Sequence, residues 1–569
     1  MNEYVSRTAH LGDFTLRPRS LLITAVALPV GGASAVAAFC LLRLIGLITN
    51  LVFDQRLSPA MTPPGARPHP AWLILLAPVA GGLVIGLMAR YGSEKIRGHG
   101  MPETIDAIVT GGSKVAPRVA VLKPVSAAVS IGTGGPFGAE GPIIMTGGAV
   151  GSILAQCLHL SADERKALLV AGAAGGMAAT FNAPLASVLL AVELLLFEWR
   201  PRSLVPVCAA VAVATVCRWA LLGSALLFPV SGTVRPGTAA IALTLVPGLS
   251  GGLLAVVATG LVYKSEDTFA RLPVHWMWWP AIGGLIIGVG GLFEPRALGV
   301  GYDVIGALLT GHAAMSLIVG ILVVKTLIWS LSLGSGTSGG VLAPTFMIGG
   351  ALGALEGQAL PHVFAGFWAM AGLAAVVGGV MRSPLTGVVF TMELTGAWDS
   401  LLGLLVASVS AYALSVLILK RSVLTEKVAR RGVHLTREYS TDPLEVFFAH
   451  EVMTPAAVPN GTAPPRGTAP GPTEPGVTEA DAAVLAVTAP AVTVYADSTL
   501  REVAVEFARR DVTAAAVVDR AAPDRVVGHI TLSQLLHARR ADLQEEEHRE
   551  RPLRVVMGRP VPSRPRTRT

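Results

Sequence analysis

The sequence has few charged residues and few cysteines. Asp, Glu, Lys and Arg make up 14% of its 569 residues, against about 25% in soluble domains, whereas 52% are hydrophobic. No basic face with interleaved aromatic residues accompanies the net charge of +7, so nucleic-acid binding is not indicated. The cysteines lie inside apolar segments without metal-ligand spacing, which predicts neither a disulfide framework nor a zinc site; we interpret Cys40, Cys157, Cys208 and Cys217 as small buried side chains.

Long apolar runs separated by short polar joints fill residues 20–419, which predicts a protein that crosses a membrane several times. The first run, at about residues 20–53, is too long for the core of a signal peptide. Arginines precede this run, and a basic cluster at residues 420–431 follows the last one. Because basic residues favour the cytoplasmic side, we expect both termini in the cytoplasm and the chain in the plasma (inner) membrane.

The second half of the apolar region repeats features of the first half about 200 positions later. Pairs with an offset of 200 or 202 include prolines, lysines and glutamates in register: Pro184/Pro384, Leu185/Leu385, Glu193/Glu393, Lys123/Lys325, Ser130/Ser332 and Pro142/Pro344. Segments interrupted by Gly and Pro at matching places of two halves are typical of transporter binding sites. The sequence therefore predicts two structural repeats, at about residues 71–200 and 275–400.

Three glycine- and proline-rich motifs are predicted helix starts: GHGMP at 98–102, GAEGP at 138–142 and GVLAP at 340–344. Proline in a first turn loses no hydrogen bond, and glycine lets an ion approach the backbone. Helix starts carry unpaired N–H groups and the positive end of the dipole, so several that point inward would bind an anion. A carboxylate at membrane depth, as at Glu140, costs about 2.5–3.5 kcal/mol and rarely lacks a role.

These three motifs, in this order on a repeated membrane chain, resemble the signatures GSGIP, GKEGP or GREGP, and GxFxP of the CLC family of chloride channels and proton/chloride exchangers. The resemblance covers roughly residues 20–435 and implies repeats of opposite orientation. It implies that Glu140 is the gating glutamate, which competes with chloride and can carry a proton. It also implies the anion-binding residues His99, Gly100, Met101, Gly138, Ala139, Gly141, Val341, Leu342 and Leu424.

Several positions depart from the family's pattern. His99 replaces a serine, so the imidazole donates to the anion, swings away and leaves the backbone to bind the anion, or is a structural histidine bonded to a carbonyl. Leu424 replaces the inner-gate tyrosine. Exchangers of the family often have two consecutive acidic residues, and Leu194 replaces the second of them, which favours a channel. The candidate residues for a proton path are Glu140, Glu193 and Glu198. For Glu393 we favour a structural role, as a helix-packing or capping carboxylate.

The chain after the membrane region has the order β-α-β-β-α. We predict strands near 491–495, 514–518 and 526–531, and helices at 498–509, capped by Ser498, and 533–539. The order resembles a single CBS module that begins at residues 450–453 and carries a long insertion. Gln534 stands where the ribose-binding acid of that module belongs, which argues against nucleotide binding and favours a packing or dimerisation role.

The predicted fold is an all-α polytopic membrane protein of two inverted repeats with broken helices, plus a small α/β cytoplasmic tail. The predicted segments are an N-terminal segment (1–19), the membrane domain (20–435), a connector (436–453), a Pro- and Ala-rich linker or insertion (454–490), the CBS-like module (491–552) and a basic disordered tail (553–569).

The predicted function is a chloride or small-anion channel in the lipid bilayer, gated by Glu140, without catalytic residues, metal or cofactor. Homodimerisation follows from the resemblance alone. Two alternatives stay open. One is a proton-coupled chloride exchanger on the same fold. The other is a membrane-embedded enzyme that uses Glu140 and His99 as an acid–base pair, which requires the two side chains about 2.6–3.2 Å apart or bridged by one water.

Overall fold

A computed structural model describes residues 18–432, 444, 447–456 and 492–549, with the side chains of the last segment described up to residue 540. The described residues fall into two compact units, one ending at 432 and one beginning at 444. The predicted N-terminal segment up to residue 17, most of the linker (457–490) and the predicted basic tail lie outside the described residues, as does most of the connector.

The larger unit is helical throughout. Its helices are α1 Pro18–Thr49, α2 Ala71–Tyr91, α3 Met101–Val109, α4 Pro117–Gly132, α5 Glu140–Cys157, α6 Ala162–Phe181, α7 Pro184–Ala191, α8 Pro201–Leu222, α9 Thr238–Leu243, α10 Leu245–Ala270, α11 Trp279–Phe293, α12 Tyr302–Leu309, α13 Met315–Gly320, α14 Thr326–Gly334, α15 Leu342–Glu356, α16 Phe367–Met381, α17 Pro384–Thr395, α18 Leu401–Ile418 and α19 Thr425–Arg430. Short π-helical turns extend α1, α7 and α13.

Seven apolar segments among the described residues are long enough to cross a membrane. Many of their large apolar side chains face outward, as expected where lipid rather than water surrounds the protein. The interpretation of the cysteines as buried was wrong for three of them: Cys40 and Cys208 are exposed on two of these segments, and Cys157 is exposed at the end of α5. An apolar surface in lipid accepts these small side chains as readily as a protein core does.

The two halves pack their central helices in the same way. A Cβ built on Gly147 of α5 would lie 2.2 Å from the carbonyl oxygen of Gly172 in α6. In the second half, a Cβ on Gly349 of α15 would lie 2.6 Å from the carbonyl oxygen of Gly372 in α16. Only glycine allows helix axes to approach this closely. The equivalent contacts show that the offset found in the sequence corresponds to a structural repeat.

The two halves also cap each other's helices. The carboxylate of Glu393 accepts hydrogen bonds from the N–H groups of Leu185 (3.0 Å) and Ala186 (2.8 Å) at the start of α7. Reciprocally, Glu193 accepts from the N–H groups of Leu385 (3.3 Å) and Thr386 (3.0 Å) at the start of α17. Reciprocal contacts of this kind are expected where a two-fold axis relates two equivalent parts. Glu393 thus has a structural role, and of the two that the sequence left open it is capping.

The smaller unit is a four-stranded sheet with three helices: α20 Ala449–Val452, β1 Thr454–Pro455, β2 Thr493–Tyr495, α21 Leu500–Arg510, β3 Ala514–Asp519, β4 Ala522–Thr531 and α22 Leu532–Arg549. The strand order is β1-β4-β3-β2, with β2 parallel to β3 and the other pairs antiparallel. Because β1 pairs with β4, residues 449–455 belong to this fold, as the resemblance implied.

One detail of the predicted tail was wrong. The cap of α21 is Thr499 rather than Ser498, since the Thr499 hydroxyl accepts from the N–H of Glu502 and the Glu502 carboxylate accepts from the N–H of Thr499. Near the start of this helix, the hydrogen bond that Arg520 Nε donates to the Asp497 carboxylate raises the pKa of the Arg520 guanidinium, which also stacks 4.1 Å from the centre of the Tyr495 ring.

Candidate functional site: three joined helix starts

The three helix starts that the sequence singled out are brought together by the structure. Helices α3, α5 and α15 begin at Met101, Glu140 and Leu342, with Gly100, Ala139 and Val341 as the residues before their first turns. The loops before α5 and α15 pair, because Gly340 N donates to Gly138 O (2.7 Å) and Gly138 N donates to Gly340 O (3.3 Å). The N-terminal ends of α5 and α15 therefore face one small buried space.

The loop before α3 joins the same cluster. Gly98 N donates to the carbonyl of Thr337 at 3.1 Å, just before the third motif. A Cβ on Gly141 would lie only 1.8 Å from the carbonyl oxygen of His99, so the first and second motifs touch through backbone. Gly100 has a φ of 83°, which favours glycine. These requirements explain why residues 100 and 141 of the motifs are glycine.

The carboxylate of Glu140 lies within this cluster. The side chain is fully buried, and Oε1 accepts a hydrogen bond from the N–H of Ala343, in the first turn of α15, at 3.0 Å. Oε2 has no hydrogen-bond partner among the described residues. A Cβ on Gly138 or on Gly340 would lie 1.8 or 2.2 Å from Oε2. The carboxylate thus stands in for an anion bound at a helix start.

His99 lies on the other side of the cluster and lines a cavity of about 430 Å³. Its side chain is buried, with 3% exposed, and makes no hydrogen bond to the part of the chain that the structure describes. The structural reading of His99 required a carbonyl partner, and no such partner is found among these residues. An imidazole N–H with no protein acceptor can donate to an anion that enters from the cavity.

A fourth helix start, missed in the sequence, completes the symmetry. Lys123 Nζ donates to the carbonyls of Ile96 (2.8 Å) and Gly98 (2.6 Å), in the loop before α3. Lys325 Nζ does the same in the second half, donating to the carbonyls of Ala297 (2.8 Å) and Gly299 (2.7 Å), in the loop before α12. Residues 299–302 (GVGY) therefore correspond to residues 98–101 (GHGM). The two lysines hold the loops rather than line the pore.

Leu424, the predicted inner-gate position, is fully buried immediately before α19. The hydroxyl of Tyr263, from α10, donates to the carbonyl of the preceding residue, Val423. A tyrosine hydroxyl therefore lies beside this position although the position itself is a leucine. The sequence held no signal for this, because Tyr263 comes from a helix 160 positions earlier.

The candidate proton-path residues Glu193 and Glu198 have different contacts. Glu193 contacts the start of α17, as described above, and Leu194 is buried with 1% exposed. Glu198 accepts a hydrogen bond from the Ser203 hydroxyl (2.7 Å) and lies 3.6 Å from Lys166 Nζ. No hydrogen bond joins the side chains of Glu140 and His99, and within the described ranges no group of three or more His, Cys, Asp or Glu could hold a metal ion.

Comparison with known proteins agrees with this geometry. Residues 81–416, more than half of the chain, match the family model described as voltage gated chloride channel. The chain belongs to this family, the CLC family. Residues 482–541 match the CBS domain. The predicted fold class is thereby confirmed, and members of the family are channels or transporters rather than enzymes.

Relatives and solved structures give the same result. The chain is 32% identical over 359 residues to the voltage-gated ClC-type chloride channel ClcB of Salmonella typhimurium (strain LT2), covering 60% of this chain and 84% of the relative. It is 30% identical over 429 residues to ClcB of Escherichia coli O17:K52:H18, covering 73% and 100%. A slow cyanobacterial Cl⁻/H⁺ antiporter shares the fold, with a TM-score of 0.64, 23% identity and coverage of 73% and 99%. A eukaryotic CLC transporter does so too, with a TM-score of 0.60, 19% identity and coverage of 90% and 98%.

Proposed function

We propose that this protein is a chloride channel whose pore passes the starts of α3, α5 and α15 and is closed by the Glu140 carboxylate. One observation carries the proposal: Glu140 Oε1 accepts the Ala343 N–H that a permeating anion would otherwise use. The site offers backbone N–H donors and helix dipoles in place of a full positive charge. Chloride can therefore bind without being held too tightly to leave.

Two features favour a channel over a proton-coupled exchanger. The position where exchangers of this family often carry a second acid is the buried, apolar Leu194. The neighbouring carboxylate of Glu193 is engaged by two backbone N–H groups and the Thr386 hydroxyl. One observation favours exchange instead: Oε2 of Glu140 has no hydrogen-bond partner among the described residues and can take a proton. A channel needs the proton on Glu140 only for gating. An exchanger also needs a second proton acceptor, through which the proton reaches the other side of the membrane.

The test is chloride efflux from liposomes containing the full chain, with the external pH recorded at the same time. We expect chloride to leave without stoichiometric proton movement. Glu140→Gln should raise the efflux and abolish its pH dependence, because an amide carries no charge to compete with chloride. Glu356→Gln, a half-buried carboxylate in the last turn of α15, is the matched control and should behave as wild type.

Two results would contradict the proposal in different ways. Uphill proton movement driven by a chloride gradient would replace the channel with an exchanger. Absence of anion efflux from both wild type and Glu140→Gln would overturn the transport function itself.

We further propose that the protein acts as a homodimer in the bacterial inner membrane, with both termini in the cytoplasm and a tail that does not bind nucleotide. Gln534, at the position of the ribose-binding acid, supports the last point. Its Oε1 accepts from Thr531 N (2.8 Å) and its Nε2 donates to the Thr454 hydroxyl (2.8 Å). Light scattering of the detergent-solubilised chain and titration with ATP test the dimer and the tail; a monomer or saturable ATP binding would contradict them.

A further inference from the structure

Arg97 immediately precedes the first motif and has an unusual environment. Its guanidinium carbon lies 4.7 Å from the centre of the Trp276 ring and 5.4 Å from that of Trp279. It has neither a hydrogen-bond acceptor nor a carboxylate within ion-pair distance in the part of the chain described here, and its Nε is buried. Stacking on aromatic rings holds a guanidinium in place without using its N–H donors. Arg97 is therefore fixed with all its donors unused.

The backbone of Arg97 is fixed as well. Lys123 Nζ binds the carbonyls of the residues on each side, Ile96 at 2.8 Å and Gly98 at 2.6 Å. Gly336 leaves room for the side chain, because a Cβ there would lie 2.9 Å from Nε and Nη2 of Arg97. A donor group held in place before its ligand arrives binds at a lower entropic cost.

Arg97 lines the same cavity of about 430 Å³ as His99. Of the three other cations of this wall, Lys95, Lys427 and Arg431, the last two are already neutralised: Lys427 lies 3.1 Å and Arg431 2.9 Å from Glu103 Oε1. Arg97 therefore differs from both in having free donors beside a space large enough for a hydrated anion.

We propose that Arg97 forms an anion-binding site in this cavity, separate from the helix-start site, where a small inorganic monovalent anion binds before it reaches His99. The proposal rests on the proposed function, since it assigns the site to the permeating ion. Two carboxylates on the same wall, Glu94 and Glu266, lie outside ion-pair distance of Arg97 and reduce its attraction for anions. Binding is therefore weak enough for the ion to move on.

The test compares the full-length Arg97→Gln, Arg97→Met and Arg97→Lys variants with wild type in liposomes. We expect the chloride concentration that gives half-maximal efflux to rise about three- to tenfold in Arg97→Gln and Arg97→Met. This is less than the full value of a charge-assisted hydrogen bond, because Glu94 and Glu266 weaken the attraction and water replaces the lost donor. Arg97→Lys keeps the charge and should stay within about twofold of wild type. Arg97→Met keeps the apolar stem on the indole rings, so it reports loss of the guanidinium if Arg97→Gln does not fold.

Lys95→Gln is the matched control, because it removes one exposed positive charge from the same cavity wall without touching an aromatic ring. It should change the half-maximal concentration far less than Arg97→Gln does. Equal effects of Lys95→Gln and Arg97→Gln, or no effect of either Arg97→Gln or Arg97→Met, would overturn the proposal.

A second measurement separates this proposal from the proposed function. Calorimetric titration of the detergent-solubilised chain with potassium bromide should show weaker binding in Arg97→Met than in wild type. If wild type gives no efflux but this difference is present, the channel fails and the Arg97 site stands. If efflux is normal and bromide binds equally to both, the channel stands and the Arg97 site fails.

Discussion

Replacing Gly138 by alanine should drive the Glu140 carboxylate out of its closed position. A Cβ at residue 138 would lie 1.8 Å from Oε2 and 2.2 Å from Oε1, and the three atoms nearest to it all belong to that carboxylate. Since non-bonded heavy atoms pack at roughly 3.5 Å, the carboxylate must move by roughly 1.5 Å. The flexible glutamate can move, whereas the buried backbone around it cannot.

The cost to the closed state follows from the bond that is lost. The 3.0 Å hydrogen bond from Ala343 N to Glu140 Oε1 involves a charged acceptor and is worth about 1.5–3 kcal/mol. Its loss shifts the ratio of open to closed gates by about 10- to 140-fold. We therefore expect Gly138→Ala to raise chloride efflux at neutral pH towards the level of Glu140→Gln, and the double variant to show no further increase.

The control for this experiment is Gly148→Ala within α5, the helix that begins two residues after Gly138; the nearest atom to this new Cβ is 3.4 Å away. Gly148→Ala should leave efflux unchanged. If Gly138→Ala has the same efflux and pH dependence as wild type while Glu140→Gln does not, the carboxylate does not occupy the position seen here. Thermal unfolding in detergent should show that both alanine variants are folded.

Three further predictions concern stability. Lys325→Met leaves two loop carbonyls without their donor and should lower the free energy of unfolding in detergent by about 2–4 kcal/mol; an unchanged melting temperature would contradict this. Glu193→Gln and Glu393→Gln each weaken one cap and should destabilise the membrane unit by a similar amount, about 1 kcal/mol, without changing proton movement during chloride efflux. A large difference between the two would refute the equivalence. Gln534→Ala removes the contacts that tie α22 to Thr454 and should lower the unfolding free energy of the tail by about 1–2 kcal/mol in urea titration monitored by circular dichroism.

The sequence predicted those parts of the site that depend on local backbone chemistry. Each Gly/Pro motif begins a helix where expected, because the missing N–H of proline and the freedom of glycine act within one turn. The start of α12 was missed because Asp303 stands where α3 has Pro102. The glycines did indicate it, because the distance in sequence from Gly98 to Lys123 differs by only one residue from the distance from Gly299 to Lys325.

Contacts between distant segments could not be read in the same way. The offset of 200 paired Glu193 with Glu393, but it did not show that each carboxylate caps a helix of the other half. The environment of Arg97 was equally hidden, because Trp276 and Trp279 lie about 180 positions away in the chain. The packing of helices side by side depends on the fold of the whole chain. A short sequence motif therefore does not indicate it.

The exchange of caps between the halves has a consequence for how the chain is made. While only the first half has been synthesised, the start of α7 lacks the carboxylate that pairs its N–H groups, and the carboxylate of Glu193 lacks its own donors. Unpaired groups of this kind are costly in lipid. We expect the start of α7 in the nascent first half to lack its native cap until Glu393 has entered the membrane. A chain cut between the halves should accordingly regain its structure only when both pieces are produced together.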